Sequence, residues 1–194
     1  MKTRIIAIMA AAVLSAGTAS AQKVSKSAED SKYIITAGDV TMTVNAGEGG
    51  KMSSYKYKDQ EMLSQLRMQN QYGSTFWTSP QKEWNWPPVH EHDMAPYEVA
   101  EDNGAIVMTS PLSEKIPLRI KKRFVADNSA KCFIITYTLI NESSQERKVA
   151  PWEITRVMAH GTVSFDADVD AITPAGLMNF VKKDGAAVYD IDHV

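Results

Sequence analysis

The chain has 194 residues, and 21 lysines and arginines nearly balance 23 aspartates and glutamates, which gives a formal net charge of −2. This balance excludes a strongly basic surface of the kind that pairs with phosphates, so we expect no nucleic-acid partner. Cys132 is the only cysteine, so an internal disulfide is excluded and the fold must be stabilised by a buried core. This cysteine lies in a strand-like run over residues 132–140, where we expect a buried, inert thiol; a nucleophile is the alternative.

The first residues have the pattern of a secretory signal peptide. Lys2 and Arg4 precede an apolar run over residues 5–16, and Ala19-Ser20-Ala21 supplies the small residues of a cleavage site. The run is shorter than a membrane-spanning helix requires, so we expect no membrane anchor. We predict removal of residues 1–21 and a secreted, periplasmic protein; a buried N-terminal helix is the structural alternative.

A lead-in and then strands are predicted after the signal peptide. Residues 22–32 are polar and predict a flexible lead-in, which leaves a single domain over 33–194. Apolar and polar residues alternate strictly over 40–44, as in a half-buried strand. A glycine-rich turn over 45–50 and a second strand over 52–58 follow.

Two hairpins are predicted in the middle of the chain. Asp102-Asn103-Gly104 separates strands over 97–101 and 105–110, and Asn-Gly suits the positive φ angles of a tight turn. A longer pair of strands is expected over 116–125 and 132–140. Because these strands are consecutive, we expect them to pair in antiparallel fashion.

The remaining segments complete an all-β pattern. Further strands are expected over 149–158 and 161–167, and only 61–69 has a weak helical pattern. We therefore predict an all-β fold, an antiparallel β-sandwich. Residues 168–194 contain Pro and Gly and then begin another strand, so either a short terminal strand closes the sheet or a C-terminal portion is lacking.

Ten residues, from Trp77 to Trp86, contain three of the four tryptophans and are followed by two prolines. Because proline interrupts helices and central strands, we predict a loop with aromatic walls. Flat apolar rings beside polar side chains suit a sugar, whose C–H faces stack and whose hydroxyls hydrogen-bond. The candidate ligand-binding residues here are Trp77, Gln81, Trp84 and Trp86. The alternative is a loop that covers one end of the core.

The sequence His90-Glu91-His92-Asp93 concentrates imidazoles and carboxylates. In an extended segment His90 and His92 would point the same way and could bind one metal with Asp93 as a third ligand. The chain lacks any stronger metal motif, and we expect neither a resident metal nor a cofactor. We predict instead that His90 and Asp93 contact a ligand; an ordinary solvated turn is the alternative.

The strand expected over 150–157 carries a second group of candidates. Alternation places Trp152 and Arg156 on one face and Glu153 on the other. Arg156 is a candidate for binding sugar hydroxyls, and Glu153 is a candidate for proton transfer with His160, just beyond the strand, as an acid. A surface ion pair between neighbouring strands is the alternative.

The segments Tyr72-Gly-Ser-Thr-Phe-Trp-Thr-Ser-Pro-Gln81 and Trp84-Asn-Trp-Pro-Pro88 resemble the signature of DUF4380, an uncharacterised bacterial family. Ala150-Pro-Trp-Glu-Ile-Thr-Arg156 is also similar, and the resemblance spans residues 33–165. It implies a galactose mutarotase-like supersandwich, the fold of aldose 1-epimerases. That fold hosts both catalysis and binding, so it does not by itself imply an activity.

The chain departs from aldose epimerases where their catalytic groups lie. Trp152-Glu153 stands where those enzymes have an acid histidine, and the chain ends before a strand comparable to the one with their base. We therefore predict a secreted carbohydrate-binding or carbohydrate-processing protein. The alternatives are an aldose 1-epimerase-type isomerase acting at a sugar anomeric centre and a structural or assembly protein without a small ligand.

Overall fold

The structure of the protein is a computed structural model, and it describes residues 23–26, 31–68, 71–174 and 178–193. The predicted signal peptide, 1–21, lies outside the described residues. Within these ranges, no helix combines the length and the apolar character that crossing a membrane requires.

Fourteen strands and one short α-helix are described. In chain order they are β1 (Lys23–Lys26), β2 (Lys32–Ala37), β3 (Val40–Asn45), β4 (Lys51–Tyr57), β5 (Gln60–Glu61), β6 (Ser74–Ser79), α1 (His90–Asp93), β7 (Glu98–Asp102), β8 (Ala105–Thr109), β9 (Leu118–Asp127), β10 (Cys132–Asn141), β11 (Ala150–Thr155), β12 (Thr162–Phe165), β13 (Val181–Lys183) and β14 (Ala186–Asp190).

The largest sheet has seven antiparallel strands in the order β1-β2-β3-β4-β6-β11, with β5 beside β4. Strands β2, β3 and β4 follow one another through short turns, whereas β11 joins β6 from far along the chain. Between Thr43 and Val44 the register with β4 shifts, so Ser53 is an extra residue in the ladder, a β-bulge. At this bulge the side chains of β4 no longer alternate regularly between the two faces of the sheet.

The second sheet has four antiparallel strands in the order β10-β9-β8-β7. Both predicted hairpins are confirmed. Asn103 and Gly104 have φ angles of 49° and 81°, as the turn between β7 and β8 requires. The pairing of β9 with β10 extends over all ten residues of each strand, from Cys132 opposite Asp127 to Asn141 opposite Leu118.

Apolar side chains from both sheets form one core, and Phe76 of β6 stacks on Tyr137 of β10 with ring centroids 4.1 Å apart. The buried members of this core are Ile35, Met42, Val44, Ala46, Phe76, Tyr97, Ile106, Met108, Ile120 and Phe124. Two antiparallel sheets around a shared apolar core confirm the predicted all-β sandwich.

The last described strands form a third sheet, in the order β12-β14-β13. Its aromatic residues contact one another: the Phe180 ring lies 5.2 Å from Phe165 and 5.8 Å from Tyr189 between centroids. The further strand that we expected to begin within residues 168–194 is therefore part of this third, small sheet.

Three local predictions differ from the structure. Residues 23–26, expected in a flexible lead-in, pair with β2, because ladder hydrogen bonds outweigh the polar composition. The weak helical pattern over 61–69 is wrong, since β5 is followed by irregular chain in which Leu63 bridges Val157. Cys132, expected to be buried, is half-buried because β10 is an edge strand.

Candidate functional site

All four tryptophans pack together beside β6 and β11, and we name Trp77, Trp84, Trp86 and Trp152 the tryptophan cluster. Trp77 lies opposite Trp152 in the ladder, and their perpendicular rings have centroids 5.5 Å apart. Trp84 and Trp86 each contact Trp77 at 6.0 Å between centroids, also in edge-to-face geometry. Trp77 is therefore the centre of the cluster.

The predicted loop from Trp77 to Trp86 is wrong at its first residues, because Trp77 lies within β6. Trp84 does lie outside the strands, but its ring is only 1% exposed and its indole N–H donates to the carbonyl oxygen of Thr78 at 2.8 Å. Rings enclosed in this way have no free face for a sugar. Trp77 and Trp84 instead belong to a second apolar core, with Val89, Ile116 and Leu118.

Trp86 and Trp152 are the members of the cluster that reach solvent. Trp86 is 55% exposed, and Trp152 is half-buried. Trp152 borders an open depression of about 520 Å³, whose other lining residues are Ser79, Pro80, Gln81, Ala150 and Pro151. The exposed amide of Gln81 can both donate and accept hydrogen bonds there. We name Trp86, Trp152 and Gln81 the aromatic platform.

The segment His90–Asp93 forms α1 and is not extended, so the prediction that both imidazoles point the same way is wrong. His90 is exposed, whereas His92 is buried with Nε2 2.9 Å from the carbonyl oxygen of Leu118. Burial lowers the pKa of His92, so the neutral ring donates its Nε2–H to that carbonyl. Among the described residues, no group of three or more His, Cys, Asp or Glu side chains is placed to hold a metal ion.

Asp93 is a buried acceptor that connects several candidate residues. The indole N–H of Trp77 donates to Oδ1 at 2.8 Å, and the Lys51 ammonium lies 3.4 Å from Oδ2. The Gln71 amide donates to Oδ2 at 3.4 Å and accepts from the Arg156 guanidinium at 2.9 Å. Trp77, Asp93 and Arg156, all selected from the sequence, therefore share one hydrogen-bond network, largely below the surface.

The two candidates for proton transfer have separate partners. Glu153 is exposed on β11 and accepts a hydrogen bond from the Ser74 hydroxyl on β6. His160 is 86% exposed, and its Nδ1 lies 3.0 Å from Oδ1 of Asp192, beyond β14. Ser74 lies on β6 and Asp192 follows β14, so Glu153 and His160 have different hydrogen-bond partners.

Lys122 is a buried charged group that the search for candidate residues missed. It lies on β9 and is only 2% exposed, and its ammonium donates to the carbonyl oxygens of Gly49 and Gly50 at 2.8 and 3.2 Å. The rings of Tyr97 and Tyr137 lie 5.3 and 5.9 Å from it. Burial lowers the pKa of Lys122 to about 8, although nearby carboxylates oppose that shift.

The turn that receives Lys122 requires glycine. Gly49 has a φ of +64°, and its N–H donates to the carbonyl oxygen of Ala95 at 3.0 Å. A Cβ atom at Gly49 would lie 2.1 Å from the carbonyl oxygen of Asp93. The close approach of this turn to α1 therefore depends on the missing side chain.

We expect the stability of the protein to rise between pH 8 and pH 10. The pKa of Lys122 is about 8 when folded and about 10.4 when unfolded, so the unfolded chain binds more protons between these values. One such group raises the free energy of unfolding by up to about 1.4 kcal/mol per pH unit, and Lys51, whose pKa burial also lowers, adds to the slope. Above about pH 10 the trend reverses, since burial raises the pKa values of Tyr97 and Tyr137.

Urea denaturation at pH 7, 8, 9 and 10 measures this dependence. Lys122→Met removes the titrating group and should reduce the slope, whereas Lys121→Met changes the adjacent lysine, which lies on the other face of β9, and should preserve it. A wild-type stability that stays constant or falls from pH 8 to pH 10 would contradict the expectation.

We compared the chain with family models, curated proteins and solved structures. No family model matches the chain, and no curated protein matches it. Among solved structures, the chain is similar to the crystal structure of 4-alpha-glucanotransferase from Thermococcus litoralis, at 14% sequence identity and a TM-score of 0.47. The similarity covers 75% of this chain but only 29% of that one. A likeness at this level carries no argument about activity.

Proposed function

We propose that the protein binds carbohydrate on the aromatic platform. The supporting observation is the exposed ring of Trp86, held against the buried ring of Trp77 at 6.0 Å between centroids. An indole fixed by packing loses little conformational entropy when a ligand stacks on it.

The depression beside Trp152 fits a sugar better than a purely apolar ligand. Gln81 and Ser79 line the depression beside Trp152 and offer donors and acceptors for hydroxyl groups. The depression is open, with Pro80 and Pro151 among its lining residues, so it suits a chain of sugars lying along a surface. We therefore favour an oligosaccharide over a single deeply enclosed monosaccharide.

Binding is favoured over epimerisation because the two proton-transfer candidates have different hydrogen-bond partners. Exchange at an anomeric centre needs an acid and a base within hydrogen-bond reach of one sugar. Glu153 accepts a hydrogen bond from Ser74 on β6, whereas His160 pairs with Asp192, which follows β14. A polarimetric mutarotation assay tests this choice, and turnover that disappears in Glu153→Gln would replace binding by the isomerase alternative.

Export and family membership complete the proposal. Lys2, Arg4 and the small residues before Gln22 support secretion to the periplasm, and the tryptophan- and proline-rich segments support membership of DUF4380. N-terminal sequencing of protein from its native host tests export: a chain that begins at Gln22 supports it, and an intact Met1 refutes it.

Trp86→Ala is expected to weaken oligosaccharide binding by about 1–3 kcal/mol while the fold survives, because the exposed ring contributes to stacking more than to the core. Gln81→Ala should cost about 1 kcal/mol of binding through a lost hydrogen bond. A glycan array selects the ligand, and calorimetric titration then measures each variant.

Tyr57→Ala is a matched control, since Tyr57 is another exposed aromatic residue, on β4 away from the platform. The Tyr57→Ala variant should bind the selected oligosaccharide as tightly as the wild type does. If Trp86→Ala and Gln81→Ala both bind the selected oligosaccharide as tightly as Tyr57→Ala, the platform is not the binding site.

A further inference from the structure

A second cleft lies on the seven-stranded sheet, apart from the tryptophan cluster. It has a volume of about 310 Å³, and its lining residues are Lys32, Thr43, Ser53, Ser54, Lys56, Gln65, Arg67 and Tyr72. Three of these side chains are cationic and none is acidic, in a chain whose net charge is −2. The cleft is therefore a local concentration of positive charge on a mildly acidic protein.

The bulge in β4 supplies polar groups to this cleft. In a regular strand the adjacent Ser53 and Ser54 would point to opposite faces of the sheet. Because the register shifts opposite Thr43 and Val44, both serines line the same cleft, together with Thr43. The bulge thus brings three hydroxyl groups into one small volume with the cationic side chains.

The Glu61 carboxylate lies beside the cleft, near Lys56, and accepts three hydrogen bonds. Glu61 accepts from the Ser54 hydroxyl at 2.5 Å and from the backbone N–H groups of Tyr55 and Leu63 at 3.0 and 3.1 Å. These hydrogen bonds lower the pKa of Glu61, so its charge is held at the margin of the cleft. Lys56 and Arg67 line the cleft itself, and none of its lining residues has a carboxylate side chain.

Arg67 is positioned by packing and not by a strong ion pair. Its guanidinium lies over the ring of Tyr72, 4.0 Å from the centroid, and its Nη1 is 3.7 Å from Oε1 of Glu48. Nη1 faces Glu48, and the other edge of the stacked guanidinium, formed by Nη2 and Nε, is the part that can bind an oxyanion through two parallel hydrogen bonds.

We propose that this cleft binds the oxyanion of a small acidic ligand, namely the carboxylate or sulfate group of an acidic sugar. Arg67 and Lys56 supply charge-assisted hydrogen bonds to the oxyanion. The hydroxyl oxygens of Ser53 and Ser54, whose protons are donated to the Thr43 carbonyl and to Glu61, accept hydrogen bonds from the polar body of the ligand, and the Thr43 hydroxyl is a third polar group for it. The sugar component of this ligand rests on the proposed carbohydrate function, whereas recognition of the oxyanion does not.

Titration with glucuronate, glucose and inorganic sulfate tests the proposal at low ionic strength. We expect saturable glucuronate binding and no glucose binding at the cleft. The variant Lys56→Gln/Arg67→Gln should weaken glucuronate binding at least about tenfold, because two charge-assisted hydrogen bonds are lost. Sulfate should compete with glucuronate, and added salt should weaken both since the cleft is open.

The control variant Lys121→Gln/Arg123→Gln removes the same formal charge from β9 of the other sheet. It should bind glucuronate as tightly as the wild type. Equal weakening in both double variants would show that only overall charge matters and would overturn the proposal, as would undetectable binding of both glucuronate and sulfate to the wild type. Lys56→Gln alone, at an exposed position, repeats the test if the double variant does not fold.

The Trp86→Ala variant separates this proposal from the platform. It should lose neutral oligosaccharide binding and keep glucuronate binding, and Lys56→Gln/Arg67→Gln should do the reverse. Loss of glucuronate binding in Trp86→Ala, with full binding in Lys56→Gln/Arg67→Gln, would assign the acidic sugar to the platform and overturn the cleft proposal.

Discussion

Replacing Asp93 by asparagine is expected to lower the free energy of unfolding by about 3–5 kcal/mol, because the change removes the buried negative charge that faces the Lys51 ammonium. In the wild type Asp93 is 4% exposed, and its Oδ2 lies 3.4 Å from the Lys51 nitrogen. Asparagine keeps the size of the side chain and can still accept from the Trp77 indole. Urea denaturation followed by tryptophan fluorescence measures the loss.

A second variant identifies the cause of that loss. In Lys51→Met/Asp93→Asn the buried positive charge is removed as well, and methionine fills a similar volume. We expect the double variant to be more stable than Asp93→Asn by about 2 kcal/mol or more. If the two are equally unstable, the lost hydrogen bond from Gln71 to Oδ2 of Asp93 matters and the ion pair does not.

Local pattern predicted most of the strands because their pairing is local. The alternation over 40–44 corresponds to β3, and Asn103-Gly104 turns the chain between β7 and β8. In each case the deciding physics acts between residues that are near in sequence: the two-residue period of a half-buried strand and the steric freedom of a left-handed turn.

The burial of β6 could not be predicted in the same way. Its neighbours in the sheet are β4 and β11, and Trp152 comes from far along the chain to lie opposite Trp77. A strand covered on both faces loses the alternation that would mark it, and the following prolines indicated a loop. Only the pairing of β6 with β4 and β11 distinguishes a buried strand from a loop at these residues.

The sequence identified the residues of the candidate site better than it predicted where their side chains point. Trp77, Asp93 and Arg156 do share a network, but the single turn of α1 buries Asp93 and exposes His90, and periodicity does not detect so short a helix. Lys122 had one usable signal, since it alternates in step with Ile120 and Phe124 on the buried face of β9. Because lysine is rarely buried, its residue type argues against placing Lys122 in the core.

Trp84→Ala is expected to cost about 3–5 kcal/mol of stability, because it removes a large ring from the second apolar core and leaves a cavity. The ring is 1% exposed, contacts Trp77 and Trp152, and donates its N–H to the Thr78 carbonyl at 2.8 Å. For a protein of this size the loss corresponds to a fall in Tm of about 2–4 °C per kcal/mol. Thermal and urea denaturation both measure it.

Trp86→Ala is the matched control for this change, since the same truncation two residues later affects a ring that is 55% exposed. It should cost less than about 1 kcal/mol, so the two variants should differ by several-fold in destabilisation. Trp84→Phe keeps most of the ring volume and should cost about 1–2 kcal/mol through the lost hydrogen bond, which preserves the comparison if Trp84→Ala does not fold. Equal destabilisation by Trp84→Ala and Trp86→Ala would contradict the division of the tryptophan cluster into core and platform, because the two positions would then contribute alike to packing.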